Sequence, residues 1–143
     1  MVQKNQQTDP GYLVDVFKLM ELTRSQTQTG YATRGIPPHD LSNLASHHYL
    51  VAFIAWHIGR YANRAGASLG VEKIFEFAMT HDLGELFGGD IALPYAAKNP
   101  RARMHAKAFE SENQKFLARF FGPEKKYLKS LTSEILDAHA DEA

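Results

Sequence analysis

Residues 81–90 read His-Asp-Leu-Gly-Glu-Leu-Phe-Gly-Gly-Asp, and the adjacent side chains His81 and Asp82 suit a divalent transition metal. A neutral imidazole nitrogen and an ionised carboxylate oxygen are both good donors to such an ion. Neighbouring helical residues differ by about 100° in direction, so they converge only on an ion seated at the seam between them. Glu85 follows one turn after His81, and Asp90 follows two glycines. A metal-assisted hydrolysis needs a base for the attacking water and an acid for the leaving oxygen. Carboxylates just past a metal pair can fill those roles. Taken singly, Glu85 and Asp90 read as solvated turn residues, and Gly84, Gly88 and Gly89 as helix breakers.

A third donor is needed, and the preceding helical segment offers His47 and His48. A lone histidine is ordinarily structural, and His57 and His105 keep that reading. His47 sits early in its segment and His81 late in the next. Two antiparallel neighbouring helices bring such positions together. His47 lies in register with Leu44, Val51, Ile54 and Ile58, the predicted inward stripe, so it rather than His48 is the expected ligand.

The chain has 143 residues, enough for one domain with a real core. Lys plus Arg equals Asp plus Glu at 16 each, which leaves no footprint for a nucleic-acid polymer or an anionic membrane. There are no cysteines, so any metal must be held by His, Asp or Glu. The longest apolar run, Tyr49–Trp56, is too short to span a bilayer. The polar start, MVQKNQQTDP, is no signal peptide, and a cytoplasmic location is expected.

The elements that must position these residues are helices, and the expected fold is all-α. Asp9-Pro10 reads as an N-cap with proline at the first helical position, followed by a stripe of Leu13, Val16, Phe17 and Met20. Gln26–His39 reads as a loop, with Pro37-Pro38 excluding a helix. A second helix is predicted over Leu41–Ala65, capped by Gly66. It is apolar around much of Leu50–Ile58, as a central buried helix would be. A third spans Val71–Leu83, with Ile74, Phe75, Ala78 and Met79 inward. Ile91–Asn99 is a connector, Pro100–Phe121 a long helix, and Glu124–His139 the last, with Leu128, Leu131 and Ile135 as its apolar face.

Three stretches together resemble the HD-domain metal-dependent phosphohydrolases, in the branch that includes the 5′-deoxynucleotidases. Thr29-Gly30-Tyr31-Ala32-Thr33-Arg34-Gly35-Ile36 is similar to a loop with an aromatic residue followed by Arg-Gly. Leu44–Ala52 is similar to the segment Val-Ala-Glu-His-Ser that carries the first metal histidine. His81-Asp82-Leu83-Gly84-Glu85, with Gly89-Asp90-Ile91 after it, is similar to His-Asp-x-x-Glu followed by Gly-Asp-Ile. The resemblance runs over roughly residues 12–143. It implies a single bundle of five to six helices around one divalent ion (Mn, Co, Fe, Ni or Zn) and a homodimer. It also implies hydrolysis of a nucleotide phosphate ester, a deoxynucleoside 5′-monophosphate first, with a deoxynucleoside triphosphate or another small phosphate ester as the alternative. By position it makes His47, His81 and Asp82 metal ligands. Glu85 becomes the residue that orients or deprotonates water, and Asp90 the residue that acts on the leaving group or braces the metal ligands from behind. Tyr31, Arg34 and Lys98 become grips for the substrate.

The match has departures. The fourth ligand of the family is an aspartate on a later helix, expected several residues past Ala143; Asp137 and Asp141 are the late aspartates here. A longer natural chain, a water or outside carboxylate, or a site short of one ligand would each account for this. Three protein ligands still hold a catalytic metal. Ser46 replaces an acidic residue, and Gln28 stands where an arginine often precedes the Gly-aromatic pair. The cations near the site in sequence are Arg34, Lys98, Arg101 and Arg103, which favours a monophosphate over a triphosphate. The reading from another class is a non-catalytic nucleotide-binding or scaffolding helical domain. Glu85 and Asp90 argue against it, because a scaffold has no use for them.

Overall fold

Asn43 is extended, and its side-chain oxygen accepts the Ser46 backbone N–H at 2.9 Å. This cap satisfies one of the open donors of a helix start. It places the beginning of the longest helix at Leu44 rather than at the expected Leu41.

The computed structural model describes residues 10–89 and 91–141, without the side chains of Leu93 and residues 136–141. Six α-helices follow one another: α1 (Tyr12–Thr23), α2 (Leu44–Arg64), α3 (Val71–Thr80), α4 (Leu93–Lys98), α5 (Pro100–Leu117) and α6 (Lys125–Asp141). Short 3₁₀ turns occupy Thr29–Arg34, Pro38–Asp40, Leu83–Phe87 and Gly122–Glu124. No strand occurs among the described residues, and the fold is all-α. No described helix is long and apolar enough to cross a membrane.

α2 and α3 form an antiparallel hairpin. Gly59, near the end of α2, lies against Val71 and Ile74 at the start of α3. At the other end, His47 meets His81. The hairpin turns through Gly66, whose φ of +98° suits glycine. The Asn63 side chain also bonds both backbone groups of Leu69 across this turn. α5 packs on the Leu83–Phe87 turn, and α6 lies against α3, where Lys73 pairs with Glu134 and the Tyr127 hydroxyl donates to Glu76. The core joins Leu19, Leu44, Leu83, Leu86 and Leu117, flanked by Met20, Phe120 and Phe121. Leu44 and Leu117 are fully buried, so truncating either would cost about 2–5 kcal/mol.

Several expected features differ. Asp9 lies outside the described residues; Gly11 holds the cap position of α1, and Pro10 falls in a turn before it. The buried face of α1 holds Leu19 and Thr23, leaving Leu13 and Phe17 exposed. The loop after α1 contains two 3₁₀ turns, one of them beginning at Pro38, a residue well suited to a first helical position. α3 stops at Thr80, and the chain tightens into the 3₁₀ turn that carries Glu85; Gly84 does not break it. Ala78 is buried as expected, but Phe75 and Met79 are exposed. The connector contains α4, and α5 ends at Leu117. Leu128, Leu131 and Ile135 are the buried residues of α6, as expected.

The largest correction concerns α2. It is not wrapped on all sides. Its buried residues are Leu44, His48, Ala52 and Gly59, whereas Ile54 and Ile58 of the expected inward stripe face solvent. An all-round apolar helix is usually buried, but that pattern cannot say which side its own chain covers.

Candidate metal centre

Three donor atoms converge where the start of α2 meets the end of α3. His47 Nε2 lies 3.1 Å from Asp82 Oδ2, His81 Nε2 lies 3.2 Å from the same oxygen, and the two Nε2 atoms are 3.2 Å apart. Donor atoms about 2.0–2.2 Å from a divalent ion stand roughly 3.0–3.5 Å from one another in octahedral or tetrahedral geometry. The triangle therefore has the dimensions of a metal face, and these three residues form a group able to hold an ion.

The backbone prepares two of the donors. His81 Nδ1 lies 3.0 Å from the Ala78 carbonyl oxygen, which can only accept. The proton therefore belongs on Nδ1, and the Nε2 lone pair is left facing Asp82 and His47. Asp82 sits just outside the helix, with φ −105° and ψ 14°. That departure from helical geometry lets adjacent side chains, otherwise about 100° apart, reach one point.

The electrostatics agree with a site built for positive charge. Burial works against the charged form of His81, yet the hydrogen bond and charge of Asp82, with the Ala78 carbonyl and Glu110, hold its pKa above 6.5. Burial would raise Asp82, but the His81 bond and the charges of His81, His47 and His48 hold it below 3.8. Burial and the Asp82 carboxylate push Glu110 above 4.5.

A cavity of about 760 Å³ opens beside the three donors, lined by Gln28, Gly30, Tyr31, Arg34, His47, Asp82, Glu85 and Pro94. Its far wall is tied to α2: Gln28 N–H donates to the Ser42 carbonyl at 3.0 Å and Leu44 N–H to the Gln26 carbonyl at 2.8 Å. Tyr31, Arg34 and Glu85 thus share one cavity with His47 and Asp82. Lys98 lies exposed on α4 and is not among its lining residues, although Pro94 of the same helix is. Asp90 and the side chains of Asp137 and Asp141 fall outside the described residues.

The reason for preferring His47 differs from the expected one. His47 is half-buried at the edge of the helix, and His48 takes the fully inward position. The His48 ring sits 5.2 Å from that of His81, centroid to centroid, and no described residue hydrogen-bonds its buried Nε2. Burial, aided by His81 and His47, lowers its pKa to about 4 against the pull of Asp82.

Two further residues had no role in the sequence reading. Glu110 of α5 is electrostatically coupled to His81 and Asp82, and Asn113 Nδ2 donates to the Gly84 carbonyl at 2.8 Å. The signal was present: Glu110, Asn113, Gln114 and Leu117 recur at i, i+3, i+4 and i+7, a polar stripe running into the buried face of α5.

Residues 36–142 match a family profile described as 5′-deoxynucleotidase YfbR-like. The chain is 30% identical over 99 residues to the 5′-deoxynucleotidase YfbR of Escherichia coli, covering 68% of this chain and 48% of that protein. It is 34% identical over 76 residues to a 5′-deoxynucleotidase of Photorhabdus laumondii, covering 52% of this chain and 39% of that protein. The matches thus span about half the length of these curated relatives, or less. A conserved hypothetical protein from Pyrococcus furiosus shares the fold, with a TM-score of 0.60 at 22% identity, over 86% of this chain and 74% of that one.

Proposed function

The chain belongs to the YfbR-like 5′-deoxynucleotidase family, and on that premise we propose that it hydrolyses the phosphate ester of a deoxynucleoside 5′-monophosphate with the help of one divalent ion. The observation that carries this reading is the meeting of His47, His81 and Asp82 at 3.1–3.2 Å on the wall of a cavity that also holds Glu85 and Arg34. His47, His81 and Asp82 would hold the ion, which when bound supplies Lewis-acid polarisation of the phosphoryl group and acidifies water. The family accommodates Mn, Co, Fe, Ni or Zn, and the N₂O donor set suits each of them.

Glu85 accepts the proton of the attacking water. A P–O bond forms to that oxygen and the bond to the 5′ oxygen breaks, with Asp90 assigned to the leaving oxygen by its place in the motif. Arg34 neutralises the phosphate, and Tyr31 offers a ring face to sugar or base. Lys98 keeps a substrate role only as a side chain at the rim. Among the described lining residues, Arg34 is the one fixed cation. That favours a single phosphate over a triphosphate, whose extra charge would be poorly matched. The proposed compartment is the cytoplasm, which suits a cysteine-free chain.

The test combines metal analysis with phosphate release from a panel of nucleoside mono- and triphosphates. About one ion per chain and release from deoxynucleoside monophosphates are expected, with both lost in Asp82→Ala. A fully metallated protein that releases phosphate from none of the panel would favour a binding or scaffolding domain.

A further inference from the structure

Asn113 sits on the buried side of α5 and is 8% exposed. Asparagine is a weak helix former, and a buried amide costs free energy unless it is hydrogen-bonded. Its Nδ2 reaches across to the Leu83–Phe87 turn and donates to the Gly84 carbonyl, 29 positions away in sequence. The same peptide plane carries the Glu85 N–H, which donates to the Asp82 carbonyl at 2.9 Å. The Gly84–Glu85 peptide is thus held at both ends. α5 grips its oxygen, and the backbone of a candidate metal ligand grips its N–H.

This plane lies immediately before the Cα of Glu85, which shares its cavity with His47 and Asp82. Only ψ of Gly84 and φ of Glu85 set its tilt, since the peptide itself is rigid. Gly84 has no room for a Cβ between Glu110 Cγ and Gln114 Cγ. Glycine is also the most permissive residue in backbone conformation, and the bonds of a 3₁₀ turn are poorer than those of an α-helix. Close packing on α5 therefore puts the loosest joint of the turn beside the side chain that most needs a fixed direction.

We propose that Asn113 is a positioning residue: it locks the Gly84–Glu85 peptide to α5 and so aims Glu85 into the cavity. The kinetic part of its test rests on the hydrolytic reading above; the structural part does not.

Amide hydrogen exchange of the metal-free full chain reads the lock directly. Asn113→Leu keeps the branched outline of the side chain and cannot donate. In it the Glu85 amide should exchange about tenfold faster, while amides in the middle of α2 keep their rates. An unchanged Glu85 rate overturns the proposal. So does equal acceleration in both places, which marks a general loss of stability. Asn113→Ser, too short to reach the carbonyl, gives the same reading if the apolar side chain prevents folding. Phosphate release supplies the second measurement. kcat should fall by up to roughly a hundredfold, the effect of displacing a reacting group by about 1 Å, with KM and metal content unchanged. In a Glu85→Gln background the same substitution should cost nothing further. A second full loss there would show that Asn113 acts elsewhere, and would overturn the proposal. A parent chain that releases no phosphate sinks the hydrolytic reading alone, and the exchange rates still decide for or against the lock.

Discussion

Gly84 and Glu110 are packed so closely that no methyl group fits between them. A Cβ at Gly84 would overlap Glu110 Cγ and stand 3.2 Å from both Gln114 Cγ and the Glu110 carbonyl oxygen. Glycine is therefore required here for close approach of the Glu85 turn to α5. Gly84→Ala should lower stability by about 1–2 kcal/mol, the usual cost of overpacking reduced by alanine's better helical propensity. The urea midpoint measures it. A variant as stable as the parent would mean that α5 yields freely and does not hold the turn.

Glu85→Gln should retain the metal and lose hydrolysis. The amide keeps the shape of the carboxylate and cannot take a proton, and general-base help contributes roughly 10²–10⁴-fold. Metal content and kcat should be measured on the same sample. Turnover at the parental rate with metal bound would remove Glu85 from the chemistry.

The legible part of this molecule lay in spacing. His81, Asp82 and Glu85 sit within one turn of each other, and the distance from His47 to His81 fits a helical hairpin, so the antiparallel meeting of α2 and α3 could be anticipated. What sequence could not resolve was direction. α2 is apolar nearly all round, so its pattern did not reveal that Ile54 and Ile58 face outward while His48 faces in. Gly84 looked like a helix breaker because a close contact and a break need the same residue. Glu110 carries no motif, and its proximity to His81 and Asp82 exists only once α5 has folded back over the turn.

The pH dependence of the metal-free protein should separate the titrating groups by window. His48 has a folded pKa near 4 against an ordinary 6.5. The unfolded chain takes up its proton first, so stability is lost as pH falls from about 6.5 to about 4, by up to roughly 3 kcal/mol. His81 is shifted upward, so its contribution is complete below 6.5 and fades only as pH rises above that value. Asp82 is shifted below 3.8 and acts at still lower pH. Glu110, raised above 4.5, opposes His48 in part of the window. Comparison with His48→Phe, which keeps a ring and removes the unbonded nitrogen, isolates the histidine. Denaturation midpoints of the variant should fall less steeply between pH 6.5 and 4. Parallel curves would show that His48 finds a partner on protonation.

The donors His47 and His81 are 34 positions apart in sequence. In the unfolded chain they are separate, and on the proposed reading an ion held by His81 and Asp82 would gain His47 only after the α2–α3 hairpin has closed, a step whose entropic cost rises slowly with loop length. Cation occupancy of the proposed site would therefore act as a latch on a tertiary event and register no helix on its own. At a hundred times its dissociation constant, an ion that binds only the folded form adds about 2.7 kcal/mol. Cellular cation supply would then set how long the open ends of the hairpin stay together, and so the lifetime of the folded chain.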